Sequence, residues 1–558
     1  MTTTPLAADA PTRTADTVTT HTLLNCLLRE VSLPERQATV AGGHLLLRLP
    51  RRAVLLRAVL RRTSLIGAHR FSGPAERHDG TGWVPVGWRE LAGYIGDELA
   101  LRTGVGNEEF LPQVADSHET IRTVLEQRTG RTPPPGTYLE SEQSLVFGHR
   151  FHPTPKSRSG DARRWLEYAP EVGSRFPLRY LAVRGELVRE EGELADLDAL
   201  RPPPPPGYRL LPVHPWQYQM LSDRQVLRDA VSRGDVVDTG VAGPGFLPTA
   251  SVRTLYEPGG DLFLKFSLNI RLTNCVRKNA GYELSGAVAL NRLVQPVFAG
   301  LADRFPGCGM LAEPGYRSVD LGGDVPLLEG LSVIVRSGVR AHLRPGVTPL
   351  LAAAVADEYP TSTAQVSHLL ARGDGDPLRW WNAYLGLLLP PVLAAYFEHG
   401  IVLEPHLQNV IVGVRADGMP AQVLFRDLEG TKLVPGRHRR ALAELAEDVR
   451  RRLVYDDERG WNRVAYCLLV NHVGEMLGAL ADLDPALEPA LWGLVRDHLD
   501  AYARSAGEPS RLRALLSGAP LPAKANLLLR WARQADRYAG YVPLPSPLGA
   551  GLLREVAR

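Results

Sequence analysis

Residues 261–279 read DLFLKFSLNIRLTNCVRKN, and the reading of the chain turns on this segment. Every second residue from Lys265 gives Lys265, Ser267, Asn269, Arg271, Thr273, Cys275 and Arg277, while Phe266, Leu268, Ile270, Leu272, Asn274 and Val276 lie between them. A period of two, with one apolar and one polar face, is the pattern of a strand. The polar face holds three cations and no acid. Upstream, PTASVRTLYEPGGD (248–261) alternates as well, and EPGGD is a turn signal. A hairpin centred on Gly259 sets Arg253 opposite Lys265 and Ser251 opposite Ser267. Like charges in register destabilise a sheet, and an anion between them is the simplest relief. Arginine forks and hydroxyl donors suit a carboxylate or phosphate. A solvated sheet face is the plain alternative; the missing acids favour a polyanion site.

Two further segments carry chemistry. GHRFHPTPKSRSG (148–160) gathers His149, His152, Lys156 and Arg158 on a loop that Pro153 and Pro155 keep out of a helix, which excludes a helical zinc pair and suits an anion. LLPVHPWQY (210–218) repeats the His–Pro pair, and His214 reads as a packed structural residue. In HGIVLEPHLQNVIVGV (399–414), Glu404, His406 and Asn409 precede an apolar strand, and AQVLFRDLEG (421–430) ends a second strand on Asp427 and Glu429. A polar loop, a strand and then an acid is one way to build an ATP–Mg²⁺ site, since Mg²⁺ takes few hard oxygen ligands from the protein. Two basic anion sites and one acidic metal site suggest a nucleoside triphosphate meeting an acidic second substrate. A kinase and an acyl-adenylate-forming ligase both fit; a non-catalytic binder of anionic iron chelates is a third possibility, which leaves the acidic segment unexplained.

The bulk numbers narrow the setting. The chain has 558 residues, 64 basic against 61 acidic, for a net charge of +3. That balance gives no reason to expect nucleic acid or membrane partners. Cys26, Cys275, Cys308 and Cys467 form no CxxC pair, consistent with a reducing, cytoplasmic setting. The first twenty residues lack the pattern of a signal peptide. The apolar run YLGLLLPPVLAAYF (384–397) is too short to span a bilayer and is expected to break at Pro390 and Pro391. Strands are expected to dominate 208–340, RPPPPPG (201–207) is a stiff connector, and the pattern is helical from about 437 onward. The class is α+β.

The segments GHRFHPTPKSRSG, PTASVRTL with KFSLNIRLTNCVRKN, EPHLQNVIV and RDLEG, in that order, resemble the siderophore synthetases of the aerobactin-synthetase-like (IucA/IucC) family, which work without a peptide template. One departure is Arg150, which replaces the first proline of the family's His-Pro-x-His-Pro and leaves the roles of His149 and Arg150 open. The resemblance implies a cupped hand of thumb, fingers and palm with antiparallel sheets, a distantly kinase-like palm and a helical C-terminus. Laid on this chain, it implies a disordered tail at 1–17, a thumb at 18–141, fingers at 142–345 with the His/Pro loop and basic hairpin, and a palm at 346–558. It also implies ATP and Mg²⁺, adenylation of a carboxylic acid (a citrate-like polycarboxylate or a succinyl hydroxamate), capture by an amine, hydroxylamine or alcohol, and a homodimer. Ser251, Arg253, Lys265, Asn409 and Glu404 are then expected on the nucleotide. Thr273, Arg277 and His406 fall to the carboxylate, and Glu404 and Asp427 to the metal. His152, Lys156, Arg277 and His406 take catalytic roles. PLPAKANLLLRW (520–531) is similar to a family segment, and Lys524 reads more safely as a helix-capping lysine than as a cleft residue.

Overall fold

The computed structural model describes residues 14–129, 137–158, 162–272, 275–359, 365–535 and 538–549. Thr273 lies outside the described residues. Five antiparallel strands joined in sequence (Ala38–Ala41, His44–Leu49, Val54–Arg62, Arg70–His78, Trp83–Val86) form the first sheet. Helices Ala15–Leu27, Trp88–Thr103 and Phe110–Arg128 share a core with it. The first of these helices begins inside the segment read as a tail, because the Thr14 hydroxyl caps it by accepting from Thr17 N at 3.2 Å.

An eight-stranded antiparallel sheet follows, ordered Val188–Gly192, Gly315–Val319, Val333–Ser337, Leu262–Phe266, Thr254–Glu257, Val236–Pro248, Phe176–Arg184 and Tyr208–Val213. Its interior strand Leu262–Phe266 is buried at every position. The palm sheet orders Cys308–Met310, Pro420–Phe425, Val410–Val414 and Thr348–Leu351; its first pair is parallel and the others antiparallel.

The structure departs from expectation in four ways. The region read as strand-dominated holds a 24-residue helix, Gly281–Arg304. Leu290, Val294, Phe298 and Leu301 on that helix, with Cys308 and Met310, enter the palm core, so the finger segment contributes an edge of the palm. Helix Pro377–Phe397 runs through Pro390 and Pro391 without a break. Its start is fixed by Asp376 accepting from Leu378 N and Arg379 N, and burial of Trp380, Trp381, Tyr384, Leu385, Leu388 and Leu389 outweighs the two missing backbone donors. The C-terminal region is not wholly helical, since Leu521–Lys524 pairs with Tyr541–Leu544 as a β-ribbon. One helix, Asp457–Ala481, is long and apolar enough to cross a membrane by composition, and it is buried as a core helix. Cys26, Cys308 and Cys467 are buried.

Candidate active site

The opening segment is not one strand. Leu262–Phe266 lies in the large sheet, Ser267 leaves it, and Leu268–Leu272 pairs with Cys275–Arg277 as a separate ribbon. The register places Thr254 opposite Lys265, one residue from the expected partner. Arg253 precedes the strand, on a tight turn in which Val252 has φ +68°. A β-branched residue rarely adopts this left-handed conformation, so the turn is strained and held by its surroundings. Thr254 N donates to the Ser251 hydroxyl at 3.2 Å, and Phe266 N donates to Arg253 O at 2.9 Å, which keeps the turn against the sheet.

The missing acids of the basic strip come from far along the chain. Lys265 Nζ donates to Asp427 Oδ1 at 2.7 Å and lies 2.8 Å from Glu429 Oε2. Arg253 donates to Asn279 Oδ1 at 2.5 Å and pairs with Glu429. The expected anion between the cations is therefore the protein's own. Burial opposes ionisation of Glu429, but Arg253 and Lys265 outweigh it and hold the carboxyl at about 2. Asp427 is likewise kept well below the carboxylate range, because Lys265 and Arg336 overcome its burial. The bases lie behind and the acids in front: the Arg253 and Lys265 side chains are 6% and 2% exposed, those of Glu429 and Asp427 33% and 26%. Asp427 has φ +77°, a second strained residue at the cluster.

Asn279, missed in the sequence reading, ties the assembly together. Its side chain donates to Lys265 O at 3.3 Å while accepting from Arg253, and its backbone N–H donates to Ser267 Oγ at 2.8 Å. Arg426 also locks the palm to the preceding segment: its guanidinium meets Glu142 at 2.5 and 3.2 Å and Tyr138 Oη at 3.0 Å.

The EPHLQN loop supplies the second wall. Asn409 Nδ2 donates to Glu404 O at 3.2 Å, and Arg463 Nε lies 3.3 Å from Glu404 Oε1. Gly430 permits this approach, since a Cβ there would sit 2.2 Å from Glu404 Oε2. His472 lies 2.8 Å from Pro405 O and 2.5 Å from Tyr384 Oη, a buried prop for the His406 turn that no sequence motif marks. Burial first, then the Lys524 and Arg463 charges, keep His406 below the ordinary imidazole range. Lys524 also helps depress His149, which burial takes to about 4. Lys524 ends strand Leu521–Lys524 rather than entering the following helix.

The His/Pro loop makes its ties apart from the Lys265–Asp427 cluster. Lys156 Nζ donates to Leu145 O and Glu171 Oε1, both at 2.5 Å. His152 is buried and its Nδ1 accepts from Thr154 N at 3.2 Å. Arg150 bridges Glu358 at 2.6 Å and Glu475 at 2.9 Å, so the residue replacing proline is a partly buried tie. His214 is fully buried and caps its helix by accepting from Trp216 N. Arg277 is half-exposed, and Arg271 on the same ribbon lies 3.8 Å from Glu109. Among the described residues no ready-made group of three His, Cys, Asp or Glu ligands exists. A site of one or two carboxylates completed by phosphate oxygens is the form Mg²⁺ usually takes, and a pair drawn from Asp427, Glu429 and Glu404 fits it.

A model of the IucA/IucC family matches residues 137–357, and one described as ferric iron reductase FhuF-like transporter matches 378–539. The rhizobactin siderophore biosynthesis protein RhbC of Rhizobium meliloti (strain 1021) is 30% identical, over 96% of this chain and 97% of that protein. The chain belongs to the IucA/IucC family. Another relative is the L-2,3-diaminopropanoate–citrate ligase of Staphylococcus aureus, 30% identical over 74% of each protein. ATP-bound aerobactin synthetase IucA of Klebsiella pneumoniae superposes with a TM-score of 0.85 at 25% identity, over 96% of this chain and 99% of that one. The IucA/IucC fold thus spans this chain from the N-terminal sheet to the C-terminal ribbon.

Proposed function

We propose that this IucA/IucC protein is an ATP-dependent ligase of siderophore biosynthesis that adenylates a citrate-like carboxylic acid and couples it to an amine. The observation carrying this reading is the convergence of Arg253, Lys265 and Asn279 with Asp427 and Glu429 beside the Glu404–His406 loop. Relatives named as citrate ligases support the substrate class. Arg253, Lys265 and Ser251 are assigned to the ATP phosphates, with Asn409 and Glu404 on the nucleotide side. Mg²⁺, held by Asp427 and Glu404, would neutralise phosphate charge. Arg277, Thr273, His406 and Lys524 are assigned to the carboxylate, with His152 and Lys156 shaping the approach.

A carboxylate oxygen attacks the α-phosphorus and pyrophosphate leaves; the amine then attacks the acyl carbon and AMP leaves. The two anions repel in water, and fixed cations both neutralise the developing charge and align the reactants. His406, kept neutral mainly by burial, is assigned the proton lost by the amine. A cytoplasmic homodimer belongs to the same reading; light scattering checks the assembly. Incubation with ATP, Mg²⁺, citrate and a panel of diamines should release pyrophosphate and AMP only when acid is present, with the amide identified by mass spectrometry. ADP as the product would select phosphoryl transfer, and no acid-dependent turnover would refute the proposal.

A further inference from the structure

Consecutive residues of one helical turn hold two separate motif loops. Helix Asp457–Ala481 is interrupted by a π-helical turn, Tyr466–Val473, closed by Gly474 N donating to Leu469 O. Turns of this kind interrupt helices mostly at functional sites. Asn471 meets His149 Nε2 at 2.7 Å, and Glu475, one turn on, meets Arg150 at 2.9 Å, so this part of the helix is fixed against the His/Pro loop. The residue after Asn471 serves the other loop. His472 is fully buried, with Nδ1 2.8 Å from Pro405 O and Nε2 2.5 Å from Tyr384 Oη. Tyr384, on helix Pro377–Phe397, is fully buried as well.

The chemistry of these contacts leaves one arrangement. A carbonyl only accepts, so His472 Nδ1 carries the proton and donates to Pro405 O. Burial keeps the ring neutral, lowering it to about 3, so Nε2 is bare and accepts from the Tyr384 hydroxyl. The tyrosine thereby selects the tautomer that reaches the loop. Pro405 is buried and His406 half-buried, so the chain leaves the core between them. The carbonyls of both are pinned, Pro405 O by His472 and His406 O by Asn409 N at 2.8 Å. A position that needed only volume would take an apolar side chain; burying an imidazole costs free energy unless its nitrogens are bonded. We propose that His472, its tautomer set by Tyr384, is a positioning residue that aims the His406 imidazole at the incoming amine, and so serves amide formation rather than adenylation. This deepens the synthetase reading and rests on it, since His406 there receives the proton the amine loses as its nitrogen bonds the acyl carbon and AMP leaves. Neither Tyr384 nor His472 touches substrate. Glu404 and Asn409, on the nucleotide side of the same loop, have ties of their own: Arg463 to the Glu404 carboxylate, and Asn409 Nδ2 to Glu404 O.

The test measures the two half-reactions separately on the full chain: citrate-dependent ATP–pyrophosphate exchange for adenylation, and amide formation with a diamine at saturating ATP and citrate. His472→Leu removes the donor to Pro405 O. It should lower kcat for amide formation about thirtyfold while exchange stays within about threefold of wild type. His472→Asn puts a carboxamide N–H near the Nδ1 position and should recover most of the lost rate, which a loss of packing alone would not. Tyr384→Phe keeps the ring and removes only the hydroxyl. It should slow amide formation about fivefold with exchange within about twofold, and it carries the test if His472→Leu does not fold. Equal losses in both half-reactions, a folded His472→Asn no better than His472→Leu, or an unaffected Tyr384→Phe overturns the proposal. Wild-type protein that shows no exchange with any acid refutes the underlying synthetase reading instead, and with it this role.

Discussion

Lys265 shows what one side chain must balance. Burial disfavours its charge, and Asp427, Glu429 and Glu313 more than compensate. Lys265→Ala strips a cation from both half-buried acids, so it should abolish pyrophosphate release and cost stability, by about 3–5 kcal/mol if the pair behaves as a buried one. Urea unfolding beside the activity assay separates the two effects. Arg277 is the contrasting residue. It is half-exposed, so Arg277→Ala should lower kcat/KM at least a hundredfold with an unchanged melting temperature. Unchanged kinetics would remove Arg277 from the carboxylate site. Lys265, Arg253 and Asp427 were legible as residue types in a pattern; their pairing was not, because 162 residues separate Lys265 from Asp427.

Among the elements, the palm hairpin depends on a glycine. Glu404 rests on Gly430, and an added methyl would overlap its carboxylate at 2.2 Å. Gly430→Ala should push Glu404 away from Arg463 and reduce turnover tenfold or more, with circular dichroism unchanged. The order of polar loop, strand and acid was readable because strands Val410–Val414 and Pro420–Phe425 are short, apolar and adjacent in sequence. Helix Gly281–Arg304 was hidden, since Gly286, Pro296 and Gly300 blur its periodicity and its burial is divided between the large sheet and the palm. The basic strip misled in the other direction: continuous alternation spans one strand of the large sheet and both strands of a separate ribbon, and a period of two does not report where a strand leaves its sheet.

For the whole molecule, buried histidines set the acid limit. Burial lowers His69 and His149 to about 4 and His214 and His472 to about 3. Below pH 6.5 the unfolded chain gains protons there that the folded chain refuses, so stability falls as pH drops toward 4, by about 1.4 kcal/mol per pH unit for each fully buried imidazole. Urea midpoints at pH 7, 6 and 5 should decline steadily, and a flat profile would contradict the burial of these rings. Between the N-terminal sheet, the His/Pro loop and the helical C-terminus, Arg62 and Arg70 meet Asp482 at 2.8 and 2.9 Å, and Arg150 meets Glu358 at 2.6 Å. The sequence by itself determined the α+β class, the segments that carry chemistry and the need of the basic strip for an anion, because strand alternation, turn residues and charge are local properties. Only the tertiary structure decided that Asp427 and Glu429 answer that need and that Asn279 ties Arg253 to Lys265. Each of these pairs residues that a burial of distant surfaces brings together, and no local pattern encodes such a distance.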